Sequence, residues 1–170
     1  MTDRERVTPP MNGDERTTLE AWLDFQRQTL LLKCDGLDDT KLQSASAPPS
    51  PLTLQGLVQD MAEVERNWFR RILAGEAAPP IYEPTADTHG HDGGFALTGT
   101  VPFEAALATW QREIAAGRAH CAVAALEDTS PFMGTAVSLR WIYVHMIAEY
   151  ARHNGHADLI RERIDGAAGV

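Results

Sequence analysis

Val144-His145-Met146-Ile147-Ala148-Glu149-Tyr150-Ala151-Arg152-His153-Asn154-Gly155-His156-Ala157-Asp158-Leu159-Ile160 is the stretch on which the reading of this chain turns. On a helix at about 100° per residue, with His145 at zero, Glu149 falls at about 40°, His153 at about 80°, His156 at about 20° and Arg152 at about −20°. By the same arithmetic Trp141 and Leu159 lie at about −40°, Ile142 and Ile160 at about 60°, and Met146 and Ile164 at about 100°. The inward stripe is therefore apolar at both ends and carries three imidazoles, a carboxylate and a guanidinium in its middle. Burying such groups without partners costs several kcal/mol, so they must bond to each other, to water or to a metal. Glu149 and His153 stand four residues apart and project side by side, which is ligand spacing on a helix. A surface pair is the plainer reading of that spacing, and the flanking apolar residues argue against it.

This last helix is expected from near Ala136 to about Ile164, roughly 28 residues and about 42 Å long. Upstream, Leu19, Trp22, Leu23, Gln26, Leu30 and Lys33 recur at three- and four-residue steps and predict a helix from about Thr17 to Cys34, stopping near Gly36. Ser44 to Pro51 is a linker. Ser50 followed by Pro51 reads as a helix start, a capping hydroxyl before a ring whose missing N–H costs nothing in the first turn. The helix it opens carries Leu54, Leu57, Val58, Met61, Val64, Trp68, Phe69 and Ile72 on one stripe, with Gln59, Glu63, Arg66 and Arg70 opposite. Gly75 and Pro79-Pro80 end it. Ile81 to Val101 shows no sustained period and reads as a long loop, at about 80–101, of the disordered or functional kind, and a lid over the bundle mouth is its favoured role. Pro102 opens a third helix to about Leu126, and Glu127 to Gly134 is a connection.

Four amphipathic helices with no convincing strand predict an all-α, four-helix bundle domain over residues 16–166, preceded by a flexible arm at 1–15. In such bundles, metal and cofactor sites are built from inward side chains on facing helices. The chain has 170 residues, 44% of them hydrophobic, with 15 basic and 24 acidic residues giving a net charge of −9. Its apolar fraction excludes a disordered chain, and its acidity, with no basic stripe, argues against nucleic acid as a partner. No run reaches the roughly 18 apolar residues of a membrane helix, and Met1 to Pro10 lacks the apolar core of a signal peptide. Cys34 and Cys121 belong to no metal or redox spacing and read as reduced, packed thiols of a cytoplasmic protein.

A metal needs a third ligand from another helix. With Leu57 at zero, Asp60 falls at about −60° on the border of the stripe of the second helix, and Glu65 at about 80° lies within it. Each has a bland alternative: Asp60 solvated, Glu65 holding Arg152 or Arg140 in a buried pair. The loop motif His89-Gly90-His91-Asp92 is a weaker candidate, since imidazoles on a glycine-flanked segment lack a rigid scaffold.

The last-helix run from Ser138 to Glu162, together with Leu54-Gln55-Gly56-Leu57-Val58 and Ala62-Glu63-Val64-Glu65-Arg66-Asn67-Trp68-Phe69, resembles the DinB-like superfamily. It is most similar to the branch named after the actinomycete mini-circle protein, related to mycothiol-dependent maleylpyruvate isomerase. The resemblance implies a four-helix bundle with a divalent metal at one end of its core, held by a His on the second helix and a pair four apart on the last. By position the pair is Glu149 and His153, and the second-helix ligand falls on Asp60. Relatives carry His there, so this chain departs from the pattern. Asp adds a negative charge and shifts preference toward harder ions.

The function implied is a divalent-metal-dependent transferase or isomerase using a low-molecular-weight thiol of the mycothiol type. The metal, Zn, Ni, Fe or Mn, would hold the thiol as thiolate for attack on a small-molecule electrophile. In that scheme Asp60, Glu149 and His153 are ligands. His156, His145 and Arg152 take catalytic roles, the two imidazoles as proton shuttles and Arg152 as a clamp for a substrate carboxylate. Arg140 and Glu65 are assigned to cofactor binding. A homodimer is also expected to be open to such a bundle. The rival expectation, supported by Asp60, is a catalytically inactive bundle acting in binding or dimerisation.

Overall fold

The computed structural model describes residues 6–82 and 101–169. Most of its long helices begin where a side chain satisfies a free N–H group of the first turn. Helix α1 spans Glu15–Cys34, and the Asp14 carboxylate accepts from the Thr17 N–H at 2.9 Å. A single turn, α2, covers Asp39–Leu42. Helix α3 spans Leu54–Glu65 and is capped by Thr53, whose hydroxyl accepts from the Gly56 N–H. The expected start at Ser50-Pro51 is therefore corrected by three residues, to the first hydroxyl that lies before the buried run.

The second long helix does not stay α-helical. From Arg66 to Leu73 it widens into a π-helix, a form found mostly as single turns and often near functional sites. Helix α4 spans Phe103–Ala122, shorter than the expected end near Leu126. The connection after it holds a hairpin that the sequence reading missed: β1, Thr129–Phe132, pairs antiparallel with β2, Thr135–Ser138. Gly134 in its turn has φ of 78°, a conformation that favours glycine. The fold is thus mostly helical with a small two-stranded sheet. The last helix, α5, covers Leu139–Asp165, capped by Ser138 at its start and by left-handed Gly166 at its end. Its expected first residues from Ala136 belong to β2 instead.

Helix α1 packs along α5, and α3 packs along α4, while the π segment rests on α4 and β1. Leu23, Leu30, Leu57, Met61, Phe69, Trp110, Ile142, Met146 and Tyr150 fill the core between them. A Cβ at Gly117 of α4 would meet the Phe69 ring at 3.0 Å, so a side chain there would push α4 off the π segment.

Because α4 covers it, the polar side of the second helix is not a solvent face. Glu63 is buried with Arg71 at 2.7 Å, and Arg66 and Arg70 both reach the buried Glu113 of α4. The inward face of α5 is also rotated from expectation. Trp141 and Leu159 are exposed, whereas Leu139, Ile142, Tyr143, Met146, Tyr150, His153, Asn154, Ala157 and Ile160 are buried, which centres the stripe at about 110° from His145. His145, Arg152 and His156 consequently lie on its shoulder. Most of the expected 80–101 loop, with His89-Gly90-His91-Asp92, lies outside the described residues. At the other end, Arg6 and the Val7 N–H bond to Thr29 and Gln28 of α1. Among the described residues no helix is long and apolar enough to cross a membrane.

Candidate functional site

Asp60 comes from the middle of α3, and Glu149 and His153 from consecutive turns of α5. The helix contact between α3 and α5 brings them together. His153 Nε2 lies 3.4 Å from Asp60 Oδ2 and 3.7 Å from Glu149 Oε2. Both carboxylates therefore approach the same ring nitrogen. His153 is buried, and Asp60 and Glu149 are largely covered.

Withdrawal from water sets the charge state of this group. Burial pushes Asp60 up to about 7, and the neighbouring carboxylates of Glu149 and Glu63 add to the rise. Burial also lowers His153, against the pull of Glu149. His145 is lowered by burial in the same way, and its Nε2 stands 3.9 Å from Glu149 Oε1. Among the described residues no arginine or lysine forms an ion pair with Asp60.

For a divalent ion the donor set is chemically suitable, one imidazole nitrogen and two carboxylate oxygens. Ligand bonds of about 2.1 Å in tetrahedral geometry put donor atoms about 3.4 Å apart. The two measured approaches to His153 Nε2 are close to that edge length. Among the described residues, however, no three His, Cys, Asp or Glu side chains are gathered as a ready-made cage. The residues thus fit an ion in type and in the two edges that meet at His153 Nε2.

The other expected site residues separate. The His156 ring centre lies 5.5 Å from that of His153, so it borders the group. His145 stacks on Trp141, with centroids 4.9 Å apart and planes at 9°, and contacts Trp68 of the π segment at 4.4 Å. Arg152 is 65% exposed and only 3.5 Å from Glu149 at best. Arg140 is drawn away to Glu15 and Glu127. Glu65 is fully buried, but its partner is neither Arg152 nor Arg140. It receives two bonds of 2.8 Å from Arg27 of α1 and one of 2.6 Å from the Tyr150 hydroxyl. The Trp110 indole N–H in turn donates to that hydroxyl at 2.8 Å.

Sequence reasoning missed Arg27 and the ring cluster around Trp68. Arg27 gave a signal, since it follows Leu23 by four and precedes Leu30 by three and so shares their inward face. A cavity of about 300 Å³ lies elsewhere, between α1, α4 and the π segment, lined by Leu23, Arg27, Phe69, Cys121 and Tyr143. It shares no residue with the Asp60 group.

With this geometry established, comparison with known families gives a match. The sequence profile of the family described as Mycothiol-S-transferase aligns with residues 18–166, from the first helix through the end of the last. The chain belongs to the Mycothiol-S-transferase family. That family lies within the DinB-like superfamily, in agreement with the resemblance carried by α3 and α5. No curated protein matches the chain. Membership implies a mycothiol-related transferase role and a thiol substrate.

Proposed function

We propose that this chain transfers a group from a small electrophile to the sulfur of a low-molecular-weight thiol of the mycothiol type, with a divalent ion held by Asp60, Glu149 and His153. The observation that carries the proposal is the approach of two carboxylates, from two helices, to one imidazole nitrogen in a member of this family. On this reading the long helices form a four-helix bundle, residues 16–166 act as one domain, and the group lies between its second and last long helices. A bound ion would supply Lewis acidity that makes the thiol proton easier to remove. The chain's own residues do the rest.

The sulfur bonds to the electrophilic carbon as the bond from that carbon to its leaving group breaks, and the leaving group departs with the bonding pair. His145 stands at the edge of the group, beside Glu149, and takes the thiol proton. Glu149 steadies the imidazolium so formed. His145, itself partly exposed, passes the proton on to water, while His156, about 16 Å further along the helix, borders His153. Arg152, exposed at the rim, is available to a substrate carboxylate.

Metal analysis of the purified protein, paired with an assay of mycothiol consumption, tests the reading. One equivalent of a divalent metal is expected. His153→Ala should lower metal affinity about a hundred-fold or more, and transfer with it. Full transfer by chelator-treated protein, or by His153→Ala, would overturn the proposal.

One observation favours a second reading. Asp60 stands where relatives are expected to carry His, and the three side chains are not drawn into a cage. A catalytically inactive bundle, serving in binding or dimerisation, accounts for both. Metal-free native protein that gains metal on Asp60→His would support this alternative.

A further inference from the structure

We infer that the aromatic patch adjoining the Asp60 group receives the body of the electrophile, and that this body is planar, conjugated and apolar. The inference rests on the proposed thiol transfer and names the substrate class of that site.

Trp141, His145, Glu149 and His153 follow one another at four-residue steps on α5. Each therefore stands about one turn beyond the last, on one side of the helix. The row changes character along its length, from two flat rings to a carboxylate and then a buried imidazole. His145 is where the two halves meet: its ring stacks on Trp141 at 4.9 Å, and its Nε2 lies 3.9 Å from Glu149. From the His145 level to the Glu149 level is about 6 Å along the axis. A ring lying against Trp141 and His145 would thus hold its reactive substituent within reach of the carboxylate and imidazole.

The facing helix repeats the arrangement. Asp60 lies on α3 and Trp68 eight residues further, inside the π segment. A π turn holds more residues than an α turn, so each residue advances through a smaller angle. The widening therefore swings Trp68 back toward the side that carries Asp60, and its ring meets His145 at 4.4 Å and Trp141 at 5.4 Å. Phe132 of β1 backs Trp68 at 5.0 Å. The hairpin and the π-helix, both additions to a plain bundle, thus converge on this patch.

Trp141 is 47% exposed, as is the neighbouring Val144 at 55%, so the patch is open to a ligand. Ring faces reward another flat π surface by offset stacking. A hydroxylated or charged body would leave its water there and meet mainly carbon, which disfavours a polar body at this position.

The test uses the metal-loaded protein, mycothiol, and two electrophiles, chlorodinitrobenzene and the small aliphatic iodoacetamide. In each, sulfur replaces a halide that leaves with the bonding pair. Trp141→Ala is expected to raise KM for the arene about ten-fold while leaving kcat and the iodoacetamide reaction within about two-fold. Trp141→Phe should restore most of the loss. Equal slowing of both electrophiles, or a raised KM for mycothiol instead, overturns the inference. A second measurement is independent of catalysis: quenching of tryptophan fluorescence by unreactive dinitrobenzene, without thiol, should saturate in the native protein and in His153→Ala and weaken about ten-fold in Trp141→Ala. Absence of saturable quenching overturns the patch as a binding surface. Failure of His153→Ala to affect transfer overturns the site reading and leaves the quenching result to decide the patch.

Discussion

Asp60 and Glu65 lie little more than one turn apart on α3, both withdrawn from water, and their surroundings are opposites. Glu65 meets the bidentate guanidinium of Arg27 and the hydroxyl of Tyr150, so its charge is neutralised and both oxygens are hydrogen-bonded. Asp60 meets an imidazole that burial keeps neutral and two further carboxylates. Burial costs both residues solvation, but only Glu65 is fully compensated by the protein. The difference separates a carboxylate that holds helices together from one whose position makes sense with something else bound. Charge follows the same division, because some of the 24 acidic residues are paired inside the molecule with Arg27, Arg66, Arg70 and Arg71, arginines that the net −9 already counts.

The sharpest way to break the comparison is to leave Glu65 as poorly compensated as Asp60. Arg27→Met strands a fully buried carboxylate, a change that typically costs about 3–5 kcal/mol. Urea denaturation should show that loss, and Arg27→Met with Glu65→Leu should recover much of it, since two apolar side chains need no partners. A loss below about 1 kcal/mol for the single variant would mean that the pair contributes little and that the two carboxylates are not different in kind.

The proximity of Glu149 and His153 on α5 was legible because four-residue spacing on a helix is a local property, and the two side chains do lie 3.7 Å apart. Asp60 was legible only to the border of its stripe, yet the border is where α3 meets α5. What the sequence hid was rotational and non-local. The wheel of α5 placed Trp141 and Leu159 inward, and a stripe of mixed residues fixes its own centre poorly until packing partners are known. The partner of Glu65 was sought on α5 when Arg27 on α1 supplies it. The π segment changed the direction of Trp68 by a hydrogen-bond shift that no residue pattern announces. The hairpin at Thr129–Ser138 has a legible signal in Met133-Gly134, a turn pair between two short runs. Pro131 masked it, since proline usually demotes a strand.

A second experiment addresses the Asp60 side in protein stripped of metal by chelator. Burial raises Asp60 from 3.8 to about 7, so between those values the folded chain holds a proton that the unfolded chain has released. Its contribution is full below about pH 4 and is lost as pH rises toward about 7. At about 1.36 kcal/mol per pKa unit the ceiling is about 4 kcal/mol, and the access of water to Asp60 reduces it. Asp60→Asn should therefore be more stable than the stripped native protein by on the order of 2 kcal/mol at pH 8, the gap closing by pH 4. With metal restored, the order should reverse, because the amide is a poor ligand for the ion. A gap independent of pH would show that Asp60 stays ionised without help.

The smallest expected effect concerns Arg152, the arginine beside Glu149. Arg152 touches Glu149 at 3.5 Å and is 65% exposed, a geometry in which an ion pair is screened by water and held at an entropic cost. Arg152→Ala should change stability by less than about 0.5 kcal/mol, and should do so equally at low and high salt. The contrast with Arg27 is then one of position, since both are arginines beside a glutamate and only the buried one is fixed in a fork. If Arg152→Ala instead destabilises the stripped protein as much as Asp60→Asn stabilises it, Arg152 is offsetting the carboxylates after all. The Asp60 group would then be a compensated cluster like that of Glu65, and the case for an ion between Asp60, Glu149 and His153 would lose its electrostatic support.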